Sequence, residues 1–299
     1  MKFDAYQMAT DRICELLEKG IRPWDKPWTS AMDCAWSGVT GKPYSFLNQW
    51  LLADLNSKTP EDMMNSMCGE WVTYEQAKKR GGHVKAGEKG RKVVFFTPFE
   101  IEENGEKKTI PYLTAYTVFK ISQCEGIEQK FHTDSEEVYQ YPLDADADSV
   151  ANDYISREGV TYKPTKGNSA FYRPSEDLVV TPLMSQFKDR AEFYSTLFHE
   201  LTHSTGHEKR LNRTMATAAF GNNDYSQEEL VAEIGSASIC ATLGLESKNS
   251  FTNSAAYVQN WLKALKNDKK MIVKASAQAE KAVKMILNIK SENGGTENA

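Results

Sequence analysis

Asp189-Arg190-Ala191-Glu192-Phe193-Tyr194-Ser195-Thr196-Leu197-Phe198-His199-Glu200-Leu201-Thr202-His203-Ser204-Thr205-Gly206 decides how this chain of 299 residues is read. Residues four apart lie on one face of a helix. His199 and His203 can therefore grip one metal ion, and Glu200 projects beside it. Two imidazoles and a carboxylate in the pattern His-Glu-x-x-His suit a metal-bound water and a base that takes its proton. The flanks predict the helix. Asp189 can cap it, with Glu192 three residues on. Phe193, Leu197 and Leu201 recur every four residues and face a core. Gly206 is a natural stop. Such an apolar helix buries its imidazoles, and buried imidazoles need partners.

A catalytic site of this kind takes a third protein ligand. Extension of the motif as His-x-x-Gly-x-x-His fails, because Lys209 stands at the last position, with His207 before it. The other source is a later helix. The stretch Gln227-Glu228-Glu229-Leu230-Val231-Ala232-Glu233 offers Glu229 as ligand, and Glu228 or Glu233 fits the same spacing argument. Glu229 and Glu233 share a face. The pattern resembles that of thermolysin-like zincins (gluzincins), in which an acid four residues after the ligating Glu orients the first His. Glu233 takes that part here. Ala232, Gly235, Ser236 and Ala237 are small enough for this helix to approach the first closely. Hydrolysis also needs a group for the oxyanion. Tyr225 is the first candidate, with His207, Arg210 and Arg213 behind it.

Length allows two domains with separate cores. Hydrophobic residues at 40% and charged residues at 26% are ordinary for a soluble globular protein. No apolar run is long enough to span a membrane, and the first residues lack the apolar core of a signal peptide. Five scattered cysteines form no Cys-x-x-Cys pair, so a reducing cytoplasm is expected. The net charge of −5 speaks against nucleic acid, but charge is segregated along the chain. Residues 71–92 hold seven bases against two acids; residues 132–158 hold eight acids against Arg157.

The basic segment contributes Lys78, Lys79, Arg80, Lys85, Lys89, Arg91 and Lys92 among glycines. Aromatic residues are dense upstream, among them Trp24, Trp28 and Tyr44. Basic charge tracks phosphates and rings stack on bases, a combination that suits single-stranded nucleic acid. Helices are predicted over 3–19, ending at Gly20, over 47–55 and over 72–80, opened by Thr73. Strands are predicted over 92–99 and 111–121 across a turn at 103–106. An acidic boundary follows at 131–146, set off by Pro142. Beyond it come a helix over 148–157, a hairpin of 170–173 with 178–181, the glutamate helix over 225–243, and helices over 252–266 and 269–289.

Trp24 to Trp28, then Gly41-Lys42-Pro43-Tyr44-Ser45-Phe46-Leu47-Asn48, then Trp71-Val72-Thr73-Tyr74-Glu75-Gln76-Ala77, then Gly82-His83-Val84-Lys85-Ala86-Gly87-Glu88-Lys89-Gly90 resembles the N-terminal domain of ArdC-type antirestriction proteins. Residues 198–207, Arg210-Leu211, Tyr225 and Glu228 to Glu233 resemble that family's zincin-like domain. The family's Tyr-Arg-Gly-x-Asn reads Tyr44-Ser45-Phe46-Leu47-Asn48 here. The resemblance implies a protein of conjugative plasmids or integrative elements that binds single-stranded DNA and helps incoming DNA escape restriction.

The expectation is therefore an α+β protein of two domains. Residues 1–130 form a small α/β domain that binds single-stranded DNA. Residues 131–146 are an acidic linker, and 147–290 a mainly helical zincin-like (gluzincin) metallopeptidase domain. A disordered tail covers 291–299. The site uses Zn2+, or another divalent ion such as Mn2+, held by His199, His203 and Glu229, with Glu200 and Tyr225 catalytic. The partners are single-stranded DNA and a protein or peptide substrate, with no membrane. The alternative is a DNA-binding protector whose metal site is structural or regulatory. A secreted or toxin-like protease is a third reading, weakened by the missing signal peptide.

Overall fold

The structure is a computed structural model. It describes residues 3–25, 34–57, 59–103, 106–131, 146–213, 223–245 and 255–289. Trp28, most of the acidic linker and the whole C-terminal tail lie outside these. The chain divides into two units. The first is residues 1–13, 31–138 and 293–299; the second is residues 14–30 and 139–292. Residues 14–30, expected in the N-terminal domain, thus group with the C-terminal unit.

The chain opens with α1 (Ala5–Glu18), followed by β1 (Ala35–Ser37), α2 (Phe46–Leu51), α3 (Pro60–Asn65), β2 (Gly69–Thr73) and α4 (Tyr74–Lys79). Next come β3 (His83–Val84), the long hairpin of β4 (Arg91–Glu103) with β5 (Glu106–Lys120), and β6 (Cys124–Glu125). Four strands form a sheet in the order β1-β2-β5-β4. Val72, expected within a helix, belongs to β2; the helix begins only at Tyr74, behind the Thr73 cap. The cap is reciprocal. Thr73 accepts from the Gln76 N–H, and the Gln76 side chain accepts from the Thr73 N–H.

Two buried carboxamides lock this unit. The Asn48 side chain donates to Val94 C=O at 2.9 Å and accepts from Val94 N–H at 2.7 Å, pairing the free edge of β4 as a strand would. Gln49 does the same for Ala35 at 2.8 Å in both directions. Asn48 thus has a structural task within the motif that resembles the ArdC pattern.

The second unit holds α5 (Ala147–Glu158), β7 (Thr161–Thr165), β8 (Phe171–Arg173), β9 (Leu178–Pro182), α6 (Arg190–Ser204), α7 (Asn223–Thr242), α8 (Ala255–Asn267) and α9 (Met271–Ile286). Its sheet runs β7-β9-β8, with β7 parallel and β8 antiparallel to β9, so β8 is an edge. The core forms where α6, α7 and α9 meet. Phe193, Leu197, Phe198 and Leu201 come from α6, Leu230, Val231 and Ile234 from α7, and Ala275, Ala279, Ala282, Val283 and Ile286 from α9. The last set repeats at three and four residues, which makes one apolar stripe on α9.

Candidate metal centre

Helix α6 starts where its sequence says. The Asp189 side chain accepts from the Glu192 N–H at 2.8 Å. Burial of the aliphatic and aromatic face then turns His199, Glu200 and His203 toward α7. The two helices come close because Gly235 has no side chain. A Cβ there would sit 2.6 Å from Thr202 Cγ2 and 2.8 Å from its Oγ1. Real Cβ atoms do not approach that closely, so the glycine sets the interhelical distance beside His203.

The structure brings His199, His203 and Glu229 together, their ligand atoms all within 4.8 Å of one another. The His199 and His203 Nε2 atoms are 3.2 Å apart. Glu229 lies 3.6 Å from the first through Oε2 and 3.5 Å from the second through Oε1. Donors about 2.0–2.2 Å from a shared ion must stand about 3–4 Å apart. The donor set of two imidazoles and one carboxylate therefore fits a divalent metal such as zinc.

The outer contacts differ from one His to the other. Glu228 Oε1 is 3.2 Å from His203 Nδ1 and is itself held by Arg213, at 2.7 Å through Nη2 and 3.0 Å between Nε and Oε2. Glu233 Oε2 is 3.9 Å from His199 Nδ1. Glu233 thus stands beside the first His, as its spacing suggested. Glu228, weighed in sequence only as a substitute ligand, faces the far nitrogen of the second. Its neighbour Arg213, weighed for the oxyanion, spends its guanidinium on Glu228, Thr205 and Thr202.

Arg210 is equally committed. It donates to Ser204 C=O, to Asp177 and to Tyr172 Oη, and its side chain is only 1% exposed. Neither arginine is placed for an oxyanion. Tyr225 falls on α7, but its side chain lies outside the described residues.

Burial raises the pKa of Glu200 against the pull of both His residues and of a backbone hydrogen bond from Tyr172. For His199, burial acts to lower the pKa, but the hydrogen bond with Glu229 and the charges of Glu200 and Glu233 outweigh it and leave the value raised. For Glu228, burial acts upward and is outweighed by hydrogen bonds from His203 and Arg213, which hold its carboxylate below the usual range.

The expected nucleic-acid residues scatter. Trp24 is buried, 1% exposed, in a short turn packed on α7, so it presents no face to a base. Arg80 binds the buried Glu70 and the carbonyls of Gly38 and Glu128. Arg91 pairs with Asp54 at 3.2 Å, bonds Leu52 C=O, and lies over the Trp71 ring. Both arginines hold the fold. Lys78, Lys79, Lys89 and Lys92 remain exposed, Lys85 is half-buried with its Nζ on Ser122 C=O at 2.9 Å, and Tyr44 is half-buried beside Phe95. Lys89 and Lys92 line a cavity of about 580 Å³ with Arg12, Asp54 and the glycine-rich loop. The rings of Tyr74, Phe96, Phe99 and Tyr112 are exposed, and of these Phe99 and Tyr112 were not anticipated from sequence.

Fold and site together define a two-unit protein with a zincin-like metallopeptidase fold. Residues 149–278 match a family model described as a zincin-like metallopeptidase, and residues 3–119 match the N-terminal domain of the anti-restriction factor ArdC. The crystal structure of the antirestriction ArdC protein from plasmid R388 is similar in its metal-free form, with 36% identity and a TM-score of 0.66 over 97% of this chain and 100% of that one. Its Mn(II)-bound form gives a TM-score of 0.68 over 98% and 100%. The chain belongs to the ArdC antirestriction protein family. Among curated proteins, a DNA primase TraC of Escherichia coli is 32% identical over 94% of this chain, which spans 27% of that protein's length. An uncharacterized protein of Sinorhizobium fredii is 29% identical over 93% of this chain and 89% of that one. No helix among the described residues is long and apolar enough to cross a membrane.

Proposed function

We propose that this protein binds single-stranded DNA through its first unit and hydrolyses peptide bonds at a divalent metal, Zn2+ or Mn2+, in its second. One observation carries the peptidase reading: three ligand atoms converge while a buried fourth group, Glu200, stands beside them without being needed as a ligand. The related R388 protein is described with Mn(II), which supports metal binding here.

Bound metal would supply a Lewis acid that polarises the scissile carbonyl and acidifies a water. His199, His203 and Glu229 would hold it. Glu200 accepts the water's proton on its carboxylate and returns it to the leaving amine. The edge strand β8 offers its unpaired side to an extended peptide, and the backbone bond from Tyr172 to Glu200 ties that strand to the base. The DNA reading rests on the family of the first unit and on the exposed lysines of residues 78–92.

Glu200→Gln keeps the shape and removes the base. It should lower peptide hydrolysis by at least about a hundredfold, with metal affinity and DNA binding unchanged. Measured on casein and on synthetic peptides, equal cleavage by wild type and E200Q would sink the mechanism. Unchanged protection against restriction by E200Q would favour a metal site that is structural or regulatory.

A further inference from the structure

Residues 14–30 lie within the stretch that matches the ArdC N-terminal domain, yet they belong to the metal-binding unit. The path is local and readable. Helix α1 ends at Glu18, and Gly20 takes a φ of +75°, which a side chain would strain. The Ile21 N–H reaches back to Leu16 C=O at 3.0 Å, closing the turn. Pro23 opens a single 3-10 turn over Pro23–Asp25, and its Trp24 is buried against α7.

This anchoring delivers Arg22 to the back of the metal centre. Its side chain is 9% exposed, and Nη1 lies 3.7 Å from Glu233 Oε1. The other oxygen of Glu233 faces His199 Nδ1 at 3.9 Å. The far nitrogen of His203 has the same order of partners at closer range, Glu228 at 3.2 Å backed by Arg213 at 2.7 Å. Each imidazole thus has a carboxylate behind it, and each carboxylate has an arginine. A metal-bound His is held in one tautomer and one orientation by the partner on its other nitrogen. An arginine beside such a carboxylate fixes where its oxygens point.

We infer that Arg22 is a positioning residue of the metal centre, acting through Glu233 on His199. The inference rests on the metal-binding reading above and goes beyond it. The site is then assembled from two separated pieces of the chain, and the region matching the zincin-like family model, residues 149–278, does not contain all of it.

The test is calorimetric titration of the full-length, metal-stripped protein with Mn2+. Arg22→Met keeps an aliphatic stem of similar length and removes the charge. R22M and E233Q should each weaken Mn2+ binding by about tenfold, the lower end of what outer partners of metal ligands contribute. The double variant R22M/E233Q should bind no more weakly than the worse single one, because both changes cut one relay. Arg22→Lys should recover most of the affinity. Wild-type affinity in R22M would overturn the inference, as would full multiplication of the two losses in the double variant. So would an R22K protein as weak as R22M. If R22M does not fold, the comparison of R22K with E233Q decides. Weakening in E233Q with wild-type affinity in R22K supports the relay; no change in E233Q removes it. A wild-type protein that takes up no Mn2+ would bring down the metal reading itself, a result separable from all of these.

Discussion

The cations of residues 78–92 and those around α6 and α7 meet opposite conditions. Beside the metal ligands, Arg213 and Arg22 face carboxylates on α7 and are nearly shut off from water. Along residues 78–92 the cations divide by type. Arg80 and Arg91 turn inward onto carbonyls and carboxylates, whereas Lys78, Lys79 and Lys89 stay in solvent and the half-buried Lys85 bonds only Ser122 C=O. A guanidinium is planar, weakly hydrated and able to serve several acceptors at once; an ammonium is compact and strongly hydrated. Local charge therefore overstates a basic surface when arginines contribute to it. What is left for phosphates is a lysine surface.

The largest effect in this contrast should come from Arg80→Ala. Glu70 is fully buried and accepts from Arg80 and from the backbone N–H groups of Lys130 and Phe131. Removing the guanidinium leaves a buried carboxylate short of its counter-ion, a loss of about 3 kcal/mol or more. Thermal melting of R80A should show a large fall. Lys78→Ala with Lys79→Ala should melt like the wild type and instead weaken single-stranded DNA binding, flattening its salt dependence by about one unit of slope per lost contact. The contrast breaks if R80A is as stable as the wild type, or if the lysine pair lowers stability and leaves DNA affinity alone.

The metal region can be probed without touching a ligand. Gly235→Ala places a methyl group against Thr202, whose hydroxyl is tied to Phe198 C=O at 2.7 Å inside the core. Either the threonine or the helix must give. Overpacking of this kind costs about 1–3 kcal/mol, and the ligands on α6 and α7 should part. A lowered melting temperature together with weaker Mn2+ uptake is expected. A fall in stability with metal affinity intact would mean that the helices adjust without moving the ligands.

These cases also separate what sequence can carry from what it cannot. His199 and His203 were legible as a pair because helical spacing fixes which side chains share a face, whereas spacing left Glu228, Glu229 and Glu233 open on α7 and it is the fold that brings Glu229 to the two imidazoles. The small residues of α7 were legible as a close approach for the same reason, and Gly235 meets Thr202 as that reading requires. Both helices of the site begin and end near their predicted limits. The strands β1 and β2 were not seen, because short buried strands have no distinctive period, and β7 was not seen because its five residues, largely exposed, carry no apolar alternation. Arg22 and the inward turn of Arg80 and Arg91 could not be read either. Each depends on a partner far away in sequence, and no local pattern announces it. Trp24 illustrates the same limit, since nothing in its neighbours says that its ring packs on α7.

The smallest expected effect belongs to the latch behind β8. Asp177, at the turn before β9, accepts from Arg210 at 3.0 Å through Oδ2 and from Tyr172 Oη at 2.8 Å through Oδ1. Arg210 also holds Ser204 C=O at 2.7 Å, at the end of α6. For Asp177, burial acts upward and is outweighed by the hydrogen bonds of Arg210 and Tyr172, which leave the carboxylate below its usual range. A group whose folded value is depressed adds stability that is fully present above its unfolded value, and that stability is lost as pH falls through the folded value. The latch should therefore be intact at neutral pH and release only on the acid side of the ordinary aspartate range. Melting profiles from neutral to strongly acid pH should show wild type losing stability there more steeply than Asp177→Asn, which has no proton to take up at that position. Parallel profiles would mean that the carboxylate titrates alike in folded and unfolded chains, and that Arg210 is held by the carbonyls alone.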